Sequence, residues 1–141
     1  MSQQGVKTTV GAIEDLTQIK AQILNGLTLH LYVNDYTPSA GTNITDVTEA
    51  TFNDYASLAA NDWGAIIEVD IDTITVTLPE KSWTVSSDGG SNEVYGWYLR
   101  DTPSNIYAAA RDINAPVRMN IAGDQYKTTI TLAQLRECNP S

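Results

Sequence analysis

Apolar side chains recur along this chain with two different periods, and the change between them falls at Gly26. From Ala12 to Asn25, Ile13, Leu16, Ile19 and Ile23 return every three or four residues, which places them on one stripe of a helix. Glu14 and Asp15 in the first turn favour the helix dipole, and Asn25-Gly26 is a good stop. Residues 1–10 carry no pattern and read as an arm. From Leu27 the period becomes two: Leu27, Leu29, Leu31 and Val33 alternate with Thr28, His30, Tyr32 and Asn34, a strand with one buried face. Asn34-Asp35 and Pro38 end it.

Strand signals continue to the end of the chain, with turn residues about every ten positions. Val47 to Leu58 reads as irregular with a short strand, and Ile66 to Leu78 alternates, with Ile67, Val69 and Ile71 opposite Glu68, Asp70 and Asp72. Lys81 to Ser86 and Glu93 to Arg100 flank Ser87 to Asn92, whose glycines suit a hairpin. A second hairpin at Asp101 to Asn105 leads into Ile106 to Arg111, and the last pair is Val117 to Ile121 with Tyr126 to Leu132. The pattern predicts a mainly β protein: an antiparallel sandwich, jelly-roll-like, after one short N-terminal helix. Residues 1–25 form the arm and helix, and residues 26–141 the β domain.

The strand Glu93 to Arg100 is apolar or aromatic on both sides, with Tyr95, Trp97 and Leu99 on one face and Val94, Gly96, Tyr98 and Arg100 on the other. It is therefore either central in a covered sheet or in contact with another subunit. Gly96 leaves room for a backbone or ring to approach. The interface candidates are Ile13, Leu16, Ile19 and Ile23 on the helix and Tyr95, Trp97 and Tyr98 on the strand, while core packing is the default expectation for Trp63, Trp83 and Trp97.

Composition narrows the chemistry. A chain of 141 residues makes one ordinary domain, and its single cysteine, Cys138, excludes an intramolecular disulfide. No apolar run approaches the ~20 residues of a membrane helix, and the first ten residues lack the core of a signal peptide. The net charge of −9 is unevenly placed. Asp35 to Asp101 holds twelve acids and two bases, Lys81 and Arg100, whereas the two ends together hold five acids and six bases. Such a middle repels phosphate, so no nucleic-acid partner is expected.

Catalysis finds little to work with. His30 is the only histidine, so any Ser-His-Asp or Cys-His arrangement must pass through it. Its place on the polar face, beside Thr28 and Tyr32, reads as a surface or interface position. One histidine and one cysteine cannot assemble the usual zinc site. Glu68, Asp70 and Asp72 stand ~7 Å apart on one strand face, which reads as a solvated face before a calcium site or a hydrolase pair. Asp88-Gly89-Gly90 and Ala122-Gly123-Asp124 lack the ligand count of a calcium loop. No cofactor and no enzyme activity are expected.

Three phrases carry a resemblance: LYVNDYTP from Leu31 to Pro38, DVTEATFNDYA from Asp46 to Ala56, and VYGWYLRD from Val94 to Asp101. Their order is similar to that in a family of small virion structural proteins of tailed bacteriophages, some of them capsid decoration or cement proteins, over roughly Ile13 to Leu132. The resemblance implies a nonenzymatic protein on the outer capsid surface, made in the host cytoplasm. It also implies the major capsid protein as partner and association as a homotrimer seated where capsid subunits meet. The N-terminal region would then contact the shell and the acidic middle would face solvent. The alternative is a tail or baseplate-associated adhesion module whose aromatic platform binds a host surface glycan.

Overall fold

The computed structural model describes residues 26–70, 73–89, 92–102 and 104–135. The arm, the N-terminal helix with Ile13, Leu16, Ile19 and Ile23, and Cys138 lie outside the described residues. Within them the chain is mainly β, with antiparallel sheets and no helix of seven residues or more. The strands are β1 (Leu27–Tyr32), β2 (Leu58–Ala60), β3 (Ile67–Asp70), β4 (Thr73–Thr84), β5 (Glu93–Val94), β6 (Gly96–Thr102), β7 (Asn105–Arg111), β8 (Val117–Arg118) and β9 (Gln125–Leu135). A single 3-10 turn, Ile44–Asp46, interrupts the run from β1 to β2. Three sheets result, in the orders β2-β1-β6-β7, β3-β4-β9 and β5-β8.

The chain divides into two compact units, one containing Asn61–Glu80 and the residues from Thr129 on, the other Gly26–Ala60 and Lys81–Thr128. In the first, Trp63, Val76, Leu78 and Ile130 are buried. The Gly64 amide bonds the Thr77 carbonyl, and the hydroxyls of Thr77 and Thr131 meet at 3.0 Å. In the second, Leu27, Leu29, Leu31 and Leu99 are buried, and a separate cluster forms around Tyr32, Val47 and Tyr98. Tyr36, Ile44, Tyr95, Ile106 and Ala109 pack against that cluster.

Several pairings differ from those the turn residues predict. Ile66 to Leu78 is not one strand: β3 and the start of β4 face each other, Ile67 opposite Thr75, with a register shift between Glu68 and Asp70. β4 then absorbs Lys81 to Thr84, running through Pro79, which lies beyond the residues of β4 that pair with β3. Ser87 to Asn92 does not close a hairpin. β4 and β5 on either side of it belong to different sheets, and Gly89 stands at φ +136°, a conformation that glycine adopts readily. Glu93 to Arg100 breaks at Tyr95, so that Val94 faces Val117 in one sheet while β6 joins another. Consequently β8 and β9 are not partners either. The β6–β7 hairpin is where the sequence places it, with Thr102 opposite Asn105.

β6 is flanked by β1 and β7, the covered central position that its two apolar faces require. At Gly96 a Cβ would lie 2.2 Å from the Ala110 carbonyl oxygen and 2.6 and 2.7 Å from Cε1 and the hydroxyl of Tyr32. Glycine is what lets the Tyr32 ring and the β7 backbone close over this strand.

Candidate functional site

β1 carries the most concentrated polar chemistry among the described residues, because strands flank it and a returning segment covers its polar face. That segment is built from local hydrogen bonds. Asn43 caps the 3-10 turn, accepting from the Thr45 amide at 3.1 Å, while Asp46 Oδ2 accepts from the Asn43 amide at 3.0 Å. Asn34 then clamps the segment to the end of β1, donating to the Asp46 carbonyl (2.9 Å) and accepting from the Thr48 amide (2.8 Å). Backbone bonds from Val33 to Thr48 (2.8 Å) and from Ala50 to Leu31 (3.0 Å) set Glu49 opposite Tyr32.

Beyond Ala50 the chain leaves β1 through a turn with Asp54 at φ +71°, a conformation that Asp tolerates. The ladder position left empty is filled by a side chain. The Tyr55 hydroxyl accepts from the Leu31 amide at 3.2 Å and donates to Glu49 Oε2 at 2.7 Å, with its ring set edge-on to Phe52.

Glu49 Oε2 also meets His30 Nδ1 at 2.5 Å, and His30 Nε2 lies 2.7 Å from Thr28 Oγ1. A carboxylate only accepts, so the ring proton belongs on Nδ1 and Nε2 accepts from the Thr28 hydroxyl. Tyr98 stacks on the imidazole, centroids 4.9 Å apart and planes 12° from parallel. His30 is 1% exposed. The surface position expected for it is therefore corrected: its face of β1 is covered, and a polar residue there is held by partners instead of by water.

The charge states follow from this setting. Burial lowers the proton affinity of His30 more than Glu49 raises it, so the ring is neutral near pH 7. Burial pulls the Glu49 carboxyl upward, but the hydrogen bonds from His30 and Tyr55 outweigh it and leave the group below its ordinary range. Burial, with Glu49 beside it, pushes the Tyr55 phenol well up, and burial pushes Tyr98 up to about 12.

Hydroxyl, imidazole and carboxylate thus stand in the order of a nucleophilic triad. The surroundings suit a structural relay better: the ring is sealed, stacked on Tyr98 and bonded at both nitrogens, and one carboxylate oxygen serves both His30 and Tyr55. Thr28, Glu49 and Tyr55 were not singled out from the sequence. A signal was present, since Glu49 stands among Val47, Ala50 and Phe52, all buried.

The other candidates are placed as follows. Tyr95 and Trp97 are half-buried, and the Arg111 guanidinium lies 5.2 Å from the Tyr95 ring centroid while bonding Asp35 at 2.6 Å. Tyr98, expected at an interface, is 1% exposed and belongs to the core, because β6 is central. Asp124 Oδ2 accepts from the amides of Asn120 and Ile121 at 3.0 Å each, and Asp88 Oδ1 accepts from the Ala122 amide at 2.8 Å, so both Gly- and Asp-rich loops use their acids on backbone. Among the described residues no group of three or more His, Cys, Asp or Glu side chains is placed to hold a metal ion. Compared with protein-family models, with curated proteins and with solved structures, the chain matches none.

Proposed function

We propose that this chain is a nonenzymatic virion structural protein: a β-sandwich capsid decoration protein that binds the outer head surface where capsid subunits meet and stabilises the shell. The observation that carries the reading is how the three phrases of the resemblance relate to one another in the fold. Asn34 of the first clamps Asp46 and Thr48 of the second, Glu49 of the second holds His30 beside the first, and Tyr98 and Gly96 of the third pack on His30 and Tyr32. The phrases form a single structural unit whose polar groups are engaged by one another, as in a protein whose task is to keep a shape.

Charge supports the same reading. The acidic excess between Asp35 and Asp101 suits a face turned away from packaged DNA and from an acidic shell. The test is co-sedimentation of the purified protein with purified heads and, separately, with purified tails of a tailed phage. Saturable binding to heads is the expected result. Binding to tails alone, or release from them by a soluble glycan, would replace the decoration role with the adhesion role.

A further inference from the structure

We propose that the outer edge of β7 is a docking surface for a second copy of this chain, the two β7 strands pairing antiparallel about a two-fold axis at Ala110. The proposal does not depend on whether the protein sits on a head, and it stands in place of the three-fold association that the resemblance implies.

The direction of each backbone group in this sheet follows from the bonds on β1. Leu31 donates its amide to Tyr55 and accepts from Ala50, and Val33 donates to Thr48, so these odd-numbered residues turn their backbone away from β6. Thr28, His30 and Tyr32 therefore face β6, opposite Arg100, Tyr98 and Gly96. Trp97 and Leu99 then face β7, opposite Ala110 and Ala108, and the Asp112 amide bonds the Tyr95 carbonyl in the same sense. What remains are Ala109 and Arg111, whose N–H and C=O groups point out of the sheet. β7 is the last strand in its order, and among the described residues none pairs with that side. The opposite edge, β2, is only three residues long.

Three features choose the second copy as occupant and fix the register. Pairing about Ala110 sets Ala109 of each copy against Arg111 of the other, so both outward-facing residues are bonded and no two arginines meet; centring on Arg111 would oppose like charges. The same register brings Tyr107 of one copy beside Ile113 of the other. These are two of the large hydrophobic residues left open to solvent: Tyr107, the extra residue of a bulge between Ile106 and Ala108, is 38% exposed, and Ile113 is 96% exposed. Ile113 is also held out rigidly. Asp112 Oδ1 accepts from the Asn114 amide at 2.7 Å, its carbonyl accepts from Ala115 at 3.1 Å, and its other carboxylate oxygen takes the Tyr126 hydroxyl at 2.6 Å. An isoleucine on a pinned turn at the end of an open strand edge suits a contact between two folded surfaces.

The test is sedimentation equilibrium of the full chain across the micromolar range, joined to hydrogen exchange read at high and low protein concentration. A dimer of the 15.3 kDa chain is expected, with the Ala109 and Arg111 amides protected only where the dimer is populated. Ile113→Asp, at a residue too exposed to affect folding, should weaken association roughly tenfold or more. Ala109→Pro, which removes an outward amide, should do the same, while Ile67→Asp, in the other unit, should leave association unchanged. Should Ala109→Pro fail to fold, Ile113→Asp and the exchange data decide. A chain that stays monomeric throughout, an assembly indifferent to Ile113→Asp, or concentration-independent exchange at Ala109 and Arg111 would overturn the proposal.

Discussion

Burying an imidazole is unfavourable unless its nitrogens keep partners, and at His30 Thr28 and Glu49 supply both. Replacing His30 by Ala removes a ring stacked on Tyr98 and strands a partly buried carboxylate, so it should cost about 3 kcal/mol, read as a fall of roughly 10 °C in thermal midpoint. A fall under about 3 °C would mean that the position is solvated after all. Acid should act through the same residue. Folding lowers the proton affinity of His30, chiefly by desolvation, so the unfolded chain binds the proton more readily; stability held above the unfolded value of 6.5 is lost as pH falls through the folded value. Glu49, also lowered, continues the loss below 4.5. Thermal midpoints measured downward from pH 7 should therefore decline, and His30→Phe, which keeps a ring but no titration, should flatten the first part of that decline. The side chain itself was visible in the sequence, but its setting was not: alternation tells which residues share a face and is silent about whether water or another segment covers that face.

At the scale of elements, single atoms decide which strands can meet. Gly96→Ala should destabilise by about 3 kcal/mol in denaturant titration, since a Cβ would collide with both the Tyr32 ring and the Ala110 carbonyl. Adding Tyr32→Leu should fail to rescue it, because the backbone clash remains; full rescue would show that the ring alone excludes a side chain. Tyr55→Phe should cost about 1–2 kcal/mol and speed exchange of the Leu31 amide, which loses its acceptor. The strand positions of β1, β6 and β7 and the close approach at Gly96 were legible, because period, aromatic content and a lone glycine are local signals. The pairing of β4 with β9 and of β5 with β8 was not. Glycines and aspartates at Ser87 to Asn92 and at Ala122 to Asp124 mark where the chain turns, and nothing local tells whether it returns beside the strand it left.

At the scale of the molecule, the decoration role proposed above assigns an orientation to the uneven charge and to residues 1–10. These residues are polar and nearly uncharged in sequence and on that role supply shell contacts. Deleting residues 2–10 should weaken co-sedimentation with heads and leave the β fold intact by circular dichroism; undiminished binding would remove the arm from the contact. The acidic middle was fully readable as composition. What composition cannot convey is that Glu49, one of its twelve acids, commits its carboxylate to His30 and Tyr55 while its side chain stays 36% exposed.

The sealing of the only histidine makes the protein its own clock. A reagent that acylates neutral imidazole finds no target on the closed surface, so its rate of reaction at His30 would report how often the segment carrying Glu49 and Tyr55 lifts from β1. One absorbance trace, free of any competing histidine, would time the breathing of this sheet and show at once whether a bound partner holds it shut.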